Sequence, residues 1–203
     1  MKKTVALIIT LVITLSAALT GCGYKYKEIN LRASFDQSLK GTTLTVYNWG
    51  EYISDGEDDS MDVNKEFEKL TGIKVKYLNY VSNETMYSQL KSGGVNYDVI
   101  IPSDYMIERL KNEDMLQKID VSAISNYDLI DEKYKGLFFD ENEEYSVPYN
   151  VGMVGIIYNE ELTGKNIEHS WKVLWDEKYK DMALNFDNSR DAFMTAQMIL
   201  GQD

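Results

Sequence analysis

One cysteine and one histidine stand in a chain of 203 residues. A lone cysteine, Cys22, cannot close an internal disulfide, and His169 has no second His or Cys with which to share a zinc ion. Phosphate-cradling loops are missing too. There is no G-x-x-x-x-G-K-[ST], no G-x-G-x-x-G and no G-x-S-x-G nucleophile turn. Positive charge is scarce: 21 Lys and Arg face 33 Asp and Glu, a formal net charge of −12. A nucleic-acid partner is therefore disfavoured, because binding phosphate needs a basic surface. Internal repeats and low-complexity segments are also absent.

Only one long apolar run is present, Val5 to Leu19, preceded by Lys2 and Lys3 and followed by Thr20-Gly21-Cys22. It is shorter than the roughly 20 residues that span a bilayer, so the reading is a secretion signal over residues 1–21. Leu19-Thr20-Gly21-Cys22 resembles a bacterial lipobox, which makes Cys22 the expected lipidation site and residues 22–41 a lipidated tether. More than one acyl chain there would hold the protein at a membrane surface. Loss of residues 1–21 removes two lysines and no acid, so the remainder is more acidic still.

From Thr42 the pattern alternates strand and helix. Thr43 to Asn48 is β-rich. Met61 to Leu70 sets Val63, Phe67 and Leu70 on one helical face before Gly72. Ile73 to Tyr77 alternates as a strand, Ser82 or Asn83 can cap a helix through Met86 and Leu90, and Tyr97 to Ile101 is an apolar strand stopped by Pro102. Ser103 or Asp104 then caps a further helix through Ile107 and Leu110. Two βαβ units of this kind imply a parallel sheet, whose ligands sit beyond the carboxyl ends of its strands. Asn48–Tyr52 and Ser103–Tyr105 arrive there. Beyond an irregular acidic stretch, Tyr145–Pro148 and Val151–Tyr158 read as extended chain, and a last helix runs from Arg190 to Leu200. A lobe boundary is expected near Asn150, giving lobes at 42–150 and 151–203.

Chemistry at those loops is aromatic and carboxylate. An alkyl ammonium leaving water needs carboxylates for its charge and flat apolar faces for its methylenes. Trp and Tyr supply such faces, with about 0.5–2 kcal/mol per cation contact. Trp49, Glu51 and Tyr52 offer both within four residues. The alternative, that Trp49 anchors the core and Glu51 is a surface residue, stays open, as does ordinary packing for Tyr105. Asp55, Glu57, Asp58 and Asp59 crowd together without calcium-loop spacing, so they read as a solvated acidic loop.

Five blocks in order carry a resemblance: Tyr47-Asn48-Trp49-Gly50-Glu51-Tyr52, Phe67-Glu68-Lys69-Leu70-Thr71-Gly72-Ile73-Lys74-Val75, Ser82-Asn83-Glu84-Thr85-Met86-Tyr87, Tyr97-Asp98-Val99-Ile100-Ile101-Pro102-Ser103 and Trp171-Lys172-Val173-Leu174-Trp175. Together they resemble the bacterial spermidine/putrescine-binding proteins, the extracytoplasmic receptors of polyamine ABC importers. The resemblance implies an α/β, periplasmic-binding-protein-like (type II, flytrap) two-lobe fold that closes on a linear polyamine. It assigns Trp49, Glu51 and Tyr52 to an aromatic and carboxylate wall. Ser103 and Tyr105 supply a hydroxyl and a ring, and Asn188 and Asp191 a second-lobe contact within Asp187-Asn188-Ser189-Arg190-Asp191. Gly50 stands where relatives often carry a hydroxyl residue, Asn188 where a carboxylate would align, Asp191 where a Glu is expected, and Asp104 adds an acid. Relatives are longer, so the second lobe is expected to be incomplete in this chain.

The expected activity is polyamine binding outside the cytoplasmic membrane and delivery to ABC permease subunits. Membrane contact would come through the lipid, and neither cofactor nor metal is expected. Three rivals remain: a receptor of the same fold for another cation or a sugar, a nonfunctional fragment, and a surface hydrolase using two of the many carboxylates.

Overall fold

The computed structural model describes residues 37–57 and 59–202. The signal segment and Cys22 lie outside the described residues. The chain falls into two compact units, one ending at Pro148 and the other beginning at Tyr149.

The first unit is built on three parallel strands in the order β2-β1-β3: β1 Thr43–Trp49, β2 Lys74–Tyr80 and β3 Val99–Ile100. Three helices follow them in turn, α1 Val63–Thr71, α2 Asn83–Ser92 and α3 Asp104–Asn112. Helix starts and stops follow local chemistry. Asp62 caps α1 by accepting from the Lys65 N–H, and Ser82 caps α2 by accepting from the Thr85 N–H. Gly72 ends α1 at φ 71°, a left-handed conformation that costs glycine little.

Two expectations change. Of the apolar stretch Tyr97 to Ile101, only Val99–Ile100 is strand, although the Asp98 N–H donates to the Thr45 carbonyl and the Ile101 N–H to the Tyr47 carbonyl. The ladder is short because Pro102 follows and has no N–H to donate. On α1 the face of Val63 and Leu70 stays 39% and 44% exposed, while Thr71 is buried. Helical periodicity marks a face; burial also needs a layer opposite it.

That layer exists for α2 and α3. Met86, Met106 and Leu110 are fully buried and pack with Tyr47 and Tyr80 of the sheet. Tyr97 stacks on Tyr47 with centroids 4.5 Å apart, and Tyr80 meets Tyr47 edge-on at 5.0 Å. Each such aromatic pair contributes about 0.5–1.5 kcal/mol beyond the area it buries. The core therefore reaches from the middle of β1 to the end of β2.

In the second unit, α4 Glu160–Thr163, 3-10 turns at Trp171–Trp175 and Glu177–Tyr179, and α5 Ser189–Leu200 surround a small core of Ile167, Val173 and Tyr179. The expected extended run Val151–Tyr158 forms no strand among the described residues. Without a neighbour to complete its backbone hydrogen bonds, an apolar extended segment remains coil.

Candidate functional site

The chain leaves β1 under tight control. Asn48 is 1% exposed; its amide donates to the Tyr77 hydroxyl at 2.7 Å, and its Oδ1 accepts from the Trp49 N–H at 2.7 Å. Trp49 is thereby turned onto Tyr80, with ring centroids 4.8 Å apart, while Tyr52 approaches Trp49 at 5.9 Å. Trp49 is half-buried against the core and Tyr52 is exposed. Of the two readings left open for Trp49, the core reading is met in part: one part of the ring packs inward, and Tyr52 lies beside the rest. Burial pushes the Tyr80 hydroxyl well above its usual pKa, reinforced by the neighbouring Tyr52, Tyr105 and Tyr47 hydroxyls and partly offset by the Trp49 indole N–H. Tyr80 stays neutral and donates to the Ile101 carbonyl, which ties the end of β2 to the end of β3.

Glu51 is exposed at the turn after β1, and among the described residues no ion pair engages it. A Cβ on Gly50 would meet Asn79 Nδ2 at 3.6 Å, ordinary contact, so this turn does not demand glycine. Beyond β3, Ser103 and Tyr105 are joined through Asn83, whose Nδ2 donates to Ser103 Oγ and to the Tyr105 hydroxyl, each at 2.9 Å. The Tyr105 hydroxyl donates to Glu84 Oε1 at 3.0 Å.

The site therefore draws on three loops, where sequence reasoning had named two. The loop after β2 supplies Tyr80, Asn83 and Glu84 to the same edge. Asn83 was read only as a possible helix cap, but Ser82 takes that role and leaves Asn83 as the first residue of the helix. The overlooked signal was positional: in a parallel sheet every strand end, not only the unusual ones, contributes to the binding edge. Asp104 is exposed, and its Oδ1 accepts from the Tyr105 N–H.

In the second unit Asn188 caps α5 and also pairs with Asp191. Its Oδ1 accepts from the Asp191 N–H and its Nδ2 donates to Asp191 Oδ2, both at 2.8 Å. The two predicted residues lie together there, with the second Asp191 oxygen outside that pair. A cavity of about 390 Å³ beside Lys111, Asp140 and Tyr145 shares no residue with the sheet edge. Its lining is mostly polar, and the aromatic edge is the better candidate on chemistry. Among the described residues no group of three or more His, Cys, Asp or Glu is placed to hold a metal.

What the edge can do follows from its parts. Trp49 and Tyr52 provide apolar ring faces backed by the buried Tyr80, Glu51, Glu84 and Asp104 provide negative charge, and two hydroxyls provide polar contacts. A flexible organic cation suits that combination.

A profile of the bacterial extracellular solute-binding proteins matches residues 95–203. The chain is 40% identical over 161 residues to the spermidine/putrescine-binding periplasmic protein of Salmonella typhimurium, covering 78% of this chain and 44% of that protein. Among solved structures, the spermidine/putrescine ABC transporter substrate-binding protein PotD of Streptococcus pneumoniae superposes with a TM-score of 0.64 at 36% identity. That match covers 80% of this chain and 48% of the other. A lipoprotein of Treponema pallidum gives 0.68 at 31% identity, covering 79% and 49%. The chain spans about half the length of these relatives. Its fold is the α/β architecture of the periplasmic binding proteins, present here in part.

Proposed function

The chain belongs to the bacterial extracellular solute-binding proteins, and on that premise we propose that it is a polyamine receptor, taking spermidine or putrescine for an ABC importer. The observation that carries this reading is the edge formed by Trp49 and Tyr52, backed by the buried Tyr80, beside Glu51, a carboxylate with no ion pair among the described residues. Methylenes lie on the rings, Glu51 meets one ammonium group, and Ser103 and Tyr105 accept hydrogen bonds from the ligand. Within the second unit, Asn188 and Asp191 are proposed as ligand-contacting residues, through the Asp191 oxygen not paired with Asn188. Binding of this kind has no chemical step and no cofactor.

Placement outside the cytoplasmic membrane goes with the family, and the names of the relatives favour the polyamine class. In the proposed organisation residues 1–21 direct export and Cys22 carries the lipid. Residues 22–41 tether the lobe at 42–150, residues 151–203 begin a second lobe, and permease subunits receive the ligand.

Calorimetric titration of the full chain with putrescine and with spermidine tests the reading. Saturable binding is expected, weakened at least about tenfold by Glu51→Gln, since a lost charge-assisted contact costs about 1.5–3 kcal/mol. Absence of binding, or a Glu51→Gln chain that binds polyamine unchanged, overturns it. A neutral sugar that binds regardless of Glu51 would instead make Trp49 a sugar-stacking surface.

A further inference from the structure

Among the described residues, four of the five α-helix starts are capped by the side chain in the cap position: Asp62, Ser82, Asn159 and Asn188 each accept from a backbone N–H of their own helix. Ser103, in the cap position of α3, does not. Its hydroxyl is turned toward Asn83, a residue only 4% exposed at the first position of α2. A buried carboxamide that diverts a serine from its helix has a specific geometry to explain.

The geometry fixes the direction of the hydrogen bonds at Asn83 and at the Tyr105 hydroxyl. The Ser103 N–H donates to Asn83 Oδ1 at 3.2 Å, so the other amide atom is the nitrogen, and its two hydrogens go to Ser103 Oγ and the Tyr105 hydroxyl. Tyr105 has a single hydroxyl hydrogen, and this goes to the Glu84 carboxylate. Any group that then approaches the Tyr105 oxygen meets a lone pair and no hydrogen. A free hydroxyl could greet a donor or an acceptor; this one is held as an acceptor.

We propose that Asn83 and Glu84 are positioning residues: Asn83 holds the Ser103 and Tyr105 oxygens in place, and Glu84, by taking the Tyr105 hydrogen, sets the polarity of that hydroxyl. The Tyr105 oxygen thereby accepts from an alkyl ammonium group and turns away carboxylates and other acceptors. The inference rests on the polyamine reading for its ligand, but the hydrogen-bond directions do not depend on it. Asn83 acts through the two hydroxyls and need not touch the ligand itself.

A double-mutant cycle on the full chain, read by calorimetry with putrescine, separates this role from simple support of the fold. Asn83→Ala is expected to raise Kd about tenfold, the order of effect of unpairing buried polar groups. In a Ser103→Ala, Tyr105→Phe background the same change should alter Kd by less than about twofold. An equal loss in both backgrounds overturns the proposal. A second measurement needs neither ligand nor a change at Asn83: the two side-chain amide proton resonances of Asn83 in the free chain. Ser103→Ala should shift one and Tyr105→Phe the other, and failure of either to do so overturns the proposal. If the unaltered chain binds no polyamine, the functional reading falls and the amide resonances alone decide this one.

Discussion

Met86, Met106 and Leu110 in the first unit are fully buried, while in the second Ile157 is fully exposed, Met153 is 97% exposed and Leu184 94%. Apolar side chains are plentiful in both, so composition does not separate them. Pairing does. In the first unit β1 has a parallel neighbour on each side, which satisfies its backbone and lays a continuous face for α2 and α3 to cover. In the second the extended run 151–158 has no strand beside it among the described residues; Ile156 and Tyr158 pack against the small core, while Met153 and Ile157 stay in solvent. Burial follows from a completed ladder, and hydrophobicity alone does not create one.

The largest test of that contrast is a pair of substitutions with similar chemistry. Leu110→Ala should cost about 2–5 kcal/mol because it opens a cavity in a close-packed core, whereas Ile157→Ala should stay within about 0.5 kcal/mol. With two compact units a single unfolding midpoint is ambiguous, so the readout is hydrogen exchange within each residue's own unit, β1 amides for Leu110 and α5 amides for Ile157. Comparable losses from both substitutions would break the comparison. They would mean that residue 157 packs in solution as firmly as residue 110.

A smaller effect is expected in limited proteolysis. The first cuts should fall between residues 149 and 158, at least about tenfold faster than any cut within residues 43–112, since segments with few buried contacts open at low free energy. Mass spectrometry of the early fragments reads the order. First cleavage inside β1 to α3 would reverse the ranking of the two units.

The same distinction governs how much the sequence could reveal. β1, β2 and the helices between the strands were legible because their signals are local: a cap at Ser82, stops at Gly72 and Gly93, and period-matched apolar residues. Val151–Tyr158 has the local look of a strand too, but a strand is a relation between segments. Half of its definition lies outside its own residues. At the candidate site, the aromatic turn Trp49–Tyr52 could be picked out by its chemistry. Asn83 could not, because its importance lies in satisfying Ser103 and Tyr105, 20 and 22 residues away, and no local pattern reports that. The face of α1 repeats the lesson in miniature: Val63 and Leu70 have the period of a buried stripe yet stay exposed, and Phe67 between them is only half-buried.

The smallest effect concerns what fastens α2 to α3 at the surface of the first unit. Glu113, just past α3, pairs with Lys91 at 2.7 Å and Arg109 at 3.0 Å and accepts from the Tyr87 hydroxyl, while the Arg109 guanidinium sits 3.8 Å over the Tyr87 ring. Lys91 first, then Tyr87 and Arg109, hold the Glu113 carboxyl down at about 2 against an ordinary value of 4.5. A depressed acid binds its proton more weakly in the folded chain than in the unfolded one. Its contribution is therefore complete above about pH 4.5 and fades as pH falls through about 2. Because the carboxylate is only half-buried and its Lys91 and Arg109 partners are exposed, salt weakens the clamp and its effect on stability is small. Glu113→Gln should flatten the acid limb of the hydrogen-exchange stability of α2 amides over that window and leave α5 amides unchanged. A parallel change at α5 would mean that acid loosens the two units together, and the contrast between them would then have to rest on packing alone.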